Sequence, residues 1–147
     1  MQKIKTDHMK FTDIAQVMEL ERKSGLECWS ENNYKESLNN ENYTIVVARA
    51  QDKIVGFLSM YVVADEGYIC NIAVEKDFRH CGIGTTLAKR IIEDSVDKGL
   101  KFLSLEVRES NVVATRFYER LGFVRQGERK NFYSNPTESA TIMTKYF

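Results

Sequence analysis

At 147 residues the chain has the length of one domain, spanning 1–147, that buries about two-thirds of its unfolded surface. Hydrophobic residues reach 43% and aromatic ones 11%, which excludes a disordered chain, and Lys plus Arg matches Asp plus Glu at 21 each, so no overall field draws nucleic acid. Three scattered cysteines beside His8 and His80 exclude a zinc cluster or disulfide framework, and without a leader or a ~20-residue apolar run the expectation is a cytoplasmic protein with no metal and no membrane partner.

Ile4 marks a short first strand. From Asp13 through Lys23, the residues Ile14, Val17, Met18 and Glu21 fall at helical spacing, and Gly25 follows. Ser30 has the chemistry of a helix N-cap. Trp29 before it and Tyr34 after it have the spacing of a hydrophobic staple, which predicts a helix over Glu31 to Leu38. Tyr43 to Ala50, Ile54 to Ala64 and Tyr68 to Val74 are rich in strand formers. The turns Gln51-Asp52-Lys53 and Asp65-Glu66-Gly67 separate them, giving an antiparallel meander.

The pattern then changes. From Thr85 onward Leu87, Ala88, Ile91, Ile92 and Val96 form an apolar helix face, with Gly99 past its end. Leu103, Leu105 and Val107 alternate with Ser104, Glu106 and Arg108, a strand with one buried face. A helix from Val112 to Leu121 stops at Gly122, and Phe123 to Arg129 with Ala140 to Phe147 form a closing hairpin. The central strand–helix–strand implies a parallel, right-handed crossover. The predicted fold class is α/β (α+β in its antiparallel parts): one mixed sheet in which an antiparallel meander is followed by a parallel β-α-β unit and a closing hairpin.

Arg79-His80-Cys81-Gly82-Ile83-Gly84 joins the strand ending at Val74 to the following helix. A tight glycine turn at a helix start gathers free N–H groups and the positive end of the helix dipole, a site for a phosphate or pyrophosphate. A dinucleotide fingerprint needs a third glycine where Leu87 stands, and a P-loop needs Gly-Lys-Ser/Thr, which is absent. Cys81 at the helix start has a setting that lowers a thiol pKa, although a small side chain tolerated in a loop explains it as well.

The strand–Arg-x-x-Gly-x-Gly–helix arrangement resembles the Gcn5-related N-acetyltransferase superfamily, and the resemblance covers nearly the whole chain. Asn71-Ile72-Ala73-Val74, Leu105-Glu106-Val107-Arg108, Ser110-Asn111, Phe117-Tyr118, Leu121-Gly122-Phe123, Cys28-Trp29-Ser30-Glu31 and Arg129-Lys130-Asn131-Phe132-Tyr133 look like its ribosomal-protein-alanine N-acetyltransferase branch. The resemblance implies that acetyl-CoA is the co-substrate. Arg79, His80, Cys81, Gly82, Ile83, Gly84 and Thr85 would hold its pyrophosphate, Ile72, Ala73 and Val74 its pantetheine arm and thioester, and the amide of Asn111 would bond the cofactor from the start of the next helix. Glu106 is then the candidate general base and Tyr118 the general acid, while Trp29, Tyr133 and Glu138 are candidate acceptor contacts.

Each assignment has a plainer counterpart. A strand glutamate is commonly solvated, a helix tyrosine beside Phe117 commonly core, and Trp29 has a sufficient reason as a staple. Where the family often has Pro, Tyr-Tyr-Pro and Glu-Asp-Ala, this chain has Cys28, Phe132-Tyr133-Ser134 and Glu138-Ser139-Ala140, all on the acceptor side. The expected acceptor is a protein N-terminal amine, above all the N-terminal alanine of a small-subunit ribosomal protein, handled by a monomer or weak dimer. The alternatives are a small amine (polyamine, amino acid or aminoglycoside) and an acyl-CoA-binding module without turnover.

Overall fold

The computed structural model describes residues 3–26 and 29–147. In chain order it contains β1 (Ile4–His8), a 3-10 turn (Phe11–Asp13), α1 (Ile14–Lys23), α2 (Glu31–Leu38), β2 (Tyr43–Ala50), β3 (Lys53–Val63) and β4 (Glu66–Val74). A second 3-10 turn (Lys76–Phe78) leads to α3 (Ile83–Asp97), β5 (Phe102–Arg108), α4 (Val112–Arg120), β6 (Val124–Tyr133) and β7 (Glu138–Tyr146). The strands form one sheet in the order β1-β2-β3-β4-β5-β7-β6. β1 to β4 pair antiparallel, β4 pairs parallel with β5, and β7 lies antiparallel between β5 and β6. The meander, the parallel unit and the closing hairpin are all present.

Alternation along the strands sorts side chains onto two faces. Val46, Ala48 and Ala50 of β2 join Leu103, Leu105 and Val107 of β5 beneath α3, which supplies Ile83, Leu87, Ala88 and Ile91. Ile45 and Val47 of β2 face the other way, against Ile14, Val17 and Leu20 of α1 and Tyr34 of α2. Each Leu or Ile buried in this way contributes roughly 1.5–3 kcal/mol, so both helix layers are held by apolar contact. Val96, expected on the buried face of α3, is 55% exposed. Four residues after Ile91 the inward position belongs to Ser95, whose hydroxyl donates to Ile91 O at 2.7 Å.

Local chemistry sets the helix starts. Ser30 caps α2: Asn33 N–H donates to its Oγ at 3.1 Å, and Ser30 N–H donates to Asn33 Oδ1 at 3.0 Å. Trp29 closes the staple on Tyr34 with ring centroids 5.3 Å apart. α3 begins at Ile83, earlier than the sequence pattern implies, because Gly82 with φ +81° turns the chain straight into the helix. Asp13 ties the base of α1 to β2. Arg49 donates to its two oxygens at 2.9 and 2.6 Å, and Lys10 N–H donates at 2.8 Å. Burial alone would raise the Asp13 carboxyl, but these bonds outweigh it and hold the group below the usual carboxylate range.

The feature that positions a site lies mid-sheet. β4 and β5 are paired only where Glu66, Gly67 and Tyr68 meet Phe102, Leu103 and Ser104. The strands touch closely there, since a Cβ on Gly67 would sit 2.8 Å from Leu103 Cδ2. At Cys70 the pairing of β4 with β3 jumps from Met60↔Ile69 to Ser59↔Asn71, a bulge that bends β4 away from β5. β5 stays paired to β7 along its length. A wedge-shaped gap therefore opens between β4 and β5. No helix among the described residues is long and apolar enough to cross a membrane.

Candidate active site

On the β4 side of the gap, Ile72, Ala73 and Val74 lie beyond the last β4–β5 pair, so the gap-facing edge of β4 has no strand partner there. Past β4 the chain reaches Arg79, His80, Cys81 and Gly82, all exposed. Arg79 folds back and its Nε donates to Val74 O at 3.2 Å, bracing the loop on the strand. The Cys81 thiol makes a local bond to Arg79 O at 3.6 Å. Gly82 carries no capping side chain, which leaves the first-turn N–H groups of Ile83, Gly84 and Thr85 without intrahelical partners. Gly84 itself needs no special backbone: a Cβ there would meet the Phe117 ring at an ordinary 3.5 Å.

α4 is closed where α3 is open. Ala114 N–H donates to Asn111 Oδ1 at 3.1 Å, so the side-chain oxygen caps the helix and only the Nδ2 donors remain for a ligand. Tyr118 turns into the core between Phe117 and Phe123, with ring centroids 5.0 and 5.4 Å away. At 4% exposure, burial pushes its phenol up to about 12. Among the described residues no buried polar side-chain atom lacks a partner.

Glu106 points away from Leu105 and Val107, which share a core cluster with Tyr118. Glu106 and Tyr118 thus approach from opposite faces of the sheet. Arg129 Nε on β6 donates to Glu106 Oε1 at 2.8 Å. Arg108 Nη1 donates to Pro136 O at 3.0 Å and to Glu138 Oε1 at 3.2 Å, while Nη2 donates to Ser134 O at 3.2 Å. The same guanidinium stacks 4.5 Å from the Tyr133 ring centroid. Burial first, and the Glu106 charge second, push the Tyr133 phenol up. Ser110 N–H donates to Glu138 Oε2 at 2.6 Å, and bonds from Ser110 and Arg108 hold that carboxyl below its usual range.

Trp29 belongs to a separate cluster. Its ring packs on Tyr34 and, at 5.8 Å, on Tyr43, bordering a hollow of about 470 Å³ that Asn33, Glu36, Ser37 and Asn40 also line. Beneath it, buried Glu21 accepts Trp29 N–H at 2.8 Å and the Tyr34 hydroxyl at 2.6 Å. Cys28, beside Trp29 in the sequence motif, lies outside the described residues.

The structure therefore brings Ile72 and Gly84 of the glycine loop up to α4 at Phe117, next to Tyr118, whereas Asn111 at the start of α4 follows Ser110, whose N–H is on Glu138. Glu106, Tyr133 and Glu138 lie on the β5–β6–β7 side. Arg108, Arg129 and Glu21 were not singled out from the sequence. Arg108 carried a signal in sharing the polar face of its strand with Glu106, and Glu21 carried one in falling at the apolar spacing of its helix. No group of three or more His, Cys, Asp or Glu among the described residues could hold a metal ion.

Residues 14–123 match the model of the acetyltransferase (GNAT) family. The [ribosomal protein bS18]-alanine N-acetyltransferase of Salmonella typhimurium is 34% identical over 134 residues, 90% of each chain. The protein of the same name from Haemophilus influenzae is 35% identical over 138 residues, 91% of this chain and 92% of that one. The crystal structure of the ribosomal-protein-S18-alanine N-acetyltransferase from Escherichia coli superposes with a TM-score of 0.89 at 30% identity, covering 98% of this chain and 94% of that one.

Proposed function

The chain belongs to the acetyltransferase (GNAT) family, and from that premise we propose that it moves the acetyl group of acetyl-CoA onto a protein N-terminal α-amine, that of the N-terminal alanine of a small-subunit ribosomal protein such as bS18. The observation that carries this reading is the reach of the likeness. The family model stops at residue 123, before the β6–β7 hairpin. The bS18-alanine acetyltransferases match nine-tenths of the chain, which leaves too few unmatched residues to omit that hairpin. Their likeness thus extends into the half of the site that would meet an acceptor.

The residues present fit acetyl-CoA. The open N–H groups at the start of α3 suit a pyrophosphate, and the unpaired edge of β4 suits an amide-bearing arm. Bound there, the thioester supplies an activated acyl group. Glu106 takes a proton from the amine as its nitrogen adds to the acetyl carbon and the carbon–sulfur bond breaks, with no covalent enzyme intermediate. An α-amine titrates near ~8 against ~10.4 for a lysine side chain, so little basicity is required of Glu106.

Tyr118 presents its O–H to the departing sulfur. With the phenol at about 12 and an alkyl thiol near ~8.5, complete proton transfer runs uphill. Tyr118 therefore acts first as a hydrogen-bond donor to the developing thiolate. The test is mass analysis after incubation with acetyl-CoA and three acceptors: an N-terminal alanine peptide of bS18 sequence, an N-terminally blocked peptide bearing lysine, and spermidine. An acetyl shift confined to the alanine peptide is expected. Acetylation of spermidine with an untouched alanine peptide would sink the reading.

A further inference from the structure

We propose that Arg108 is a positioning residue for acceptor recognition: it clamps the β6–β7 turn against the end of β5, and the acceptor amine reaches Glu106 over the surface which that clamp holds in place. The inference rests on the acetyl-transfer reading above. Residues 134–137 lie outside β6 and β7 and so have no ladder to fix them. Two of their carbonyls, Ser134 O and Pro136 O, accept from the one guanidinium. The same group reaches Glu138 on one side of the turn and stacks on Tyr133 on the other.

The position of the clamp matters. Arg108 and Glu106 are two apart on one strand and so share a face. Arg129, which bonds Glu106, and Tyr133, whose ring Arg108 holds, both lie on β6. Arg108 and Ser110 also engage both Glu138 oxygens, so that carboxylate serves the clamp rather than an incoming ammonium. Glu106 differs, because its partner Arg129 is 58% exposed and free to swing out as an amine arrives.

A planar fork with several donors and a stacking face can make these contacts together; a lysine ammonium, a point charge on a flexible stem, cannot. Arg108→Lys and Arg108→Met are therefore the test, read by steady-state kinetics on whichever amine the wild type acetylates and by calorimetric titration of acetyl-CoA. Both variants should raise the acceptor KM about tenfold, while acetyl-CoA affinity and kcat at saturating acceptor stay within about threefold.

Tyr133→Leu, which removes only the stacking surface, should raise the acceptor KM less and leave acetyl-CoA binding alone; it serves as the readout if the Arg108 variants do not fold. Three results overturn the clamp: an unchanged acceptor KM, a wild-type KM restored by Arg108→Lys, or a parallel loss of acetyl-CoA affinity. The wild-type choice of amine tests the functional reading separately, so the two fail independently.

Discussion

Backbone faces the gap from the β4–α3 side and side chains face it from the β5–β6–β7 side. On the first side the open groups are the unpaired edge of β4 and the uncapped first turn of α3. On the second, Glu106 is held by Arg129 and Glu138 by Arg108 and Ser110. A main-chain cradle takes any ligand with suitably spaced phosphates and amides, and no titration switches it. A surface of mutually paired side chains discriminates, because an entering group must match or displace a partner already there. On the proposed function, affinity for acetyl-CoA would be a matter of backbone geometry, and acceptor choice a matter of side-chain arrangement.

Tyr118→Phe should break the chemistry while sparing both flanks. Losing the donor to the leaving sulfur is expected to lower kcat about 100-fold, with acetyl-CoA affinity unchanged in a calorimetric titration. Gly82→Ala strikes only the cradle. Alanine at φ +81° is strained by roughly 1–2 kcal/mol, so acetyl-CoA should bind about tenfold more weakly while the acceptor KM holds. Gly84→Ala sharpens the point: its Cβ fits against Phe117, so an unchanged Tm with weaker acetyl-CoA binding would report a clash with the ligand itself.

Glu138→Gln keeps an acceptor for Ser110 but removes the charge. Because Ser134 O, Pro136 O and the Tyr133 ring still hold Arg108, the acceptor KM should rise by less than about threefold for neutral and cationic peptides alike; a larger rise confined to cationic peptides would mean that the acceptor side reads charge through Glu138. The smallest effect is an absent one. The phenol of Tyr118 is raised to about 12, so its proton stays in place as pH climbs. The rate should rise as the α-amine deprotonates near ~8 and show no basic limb up to about pH 10. A fall beginning near pH 9 would mean that the essential donor loses its proton well below the range that burial gives the Tyr118 phenol.

The two flanks also differ in how legible they are in the sequence. The glycine loop, the Ser30 cap, the Trp29–Tyr34 staple and the alternation of Leu103, Leu105 and Val107 are local patterns, and each appears in the structure close to where its pattern places it. The acceptor flank depends on pairs that no local pattern records. Glu106 and Arg129 are 23 positions apart, and Arg108 and Glu138 are 30 apart. Whether they meet depends on how β6 registers on β7, and that ladder shifts between Arg125 and Gly127 and again between Arg129 and Tyr133. Periodicity locates a strand; it does not number its partner's residues. Asp13–Arg49 and Glu21–Tyr34 were hidden for the same reason, as buried polar bonds between elements whose sequences advertise only their apolar faces.

Three ladder pairs join β4 to β5, so the sheet has two leaves, held together elsewhere by the core that β2, β5 and α3 share. One leaf is β1 to β4; the other is β5, β7 and β6. A ligand arm bonded to the free edge of β4 would take the place of the strand neighbour that β4 lacks there. Binding at that edge would protect the β4 amides there from hydrogen exchange, and the protection would be lost when CoA departs.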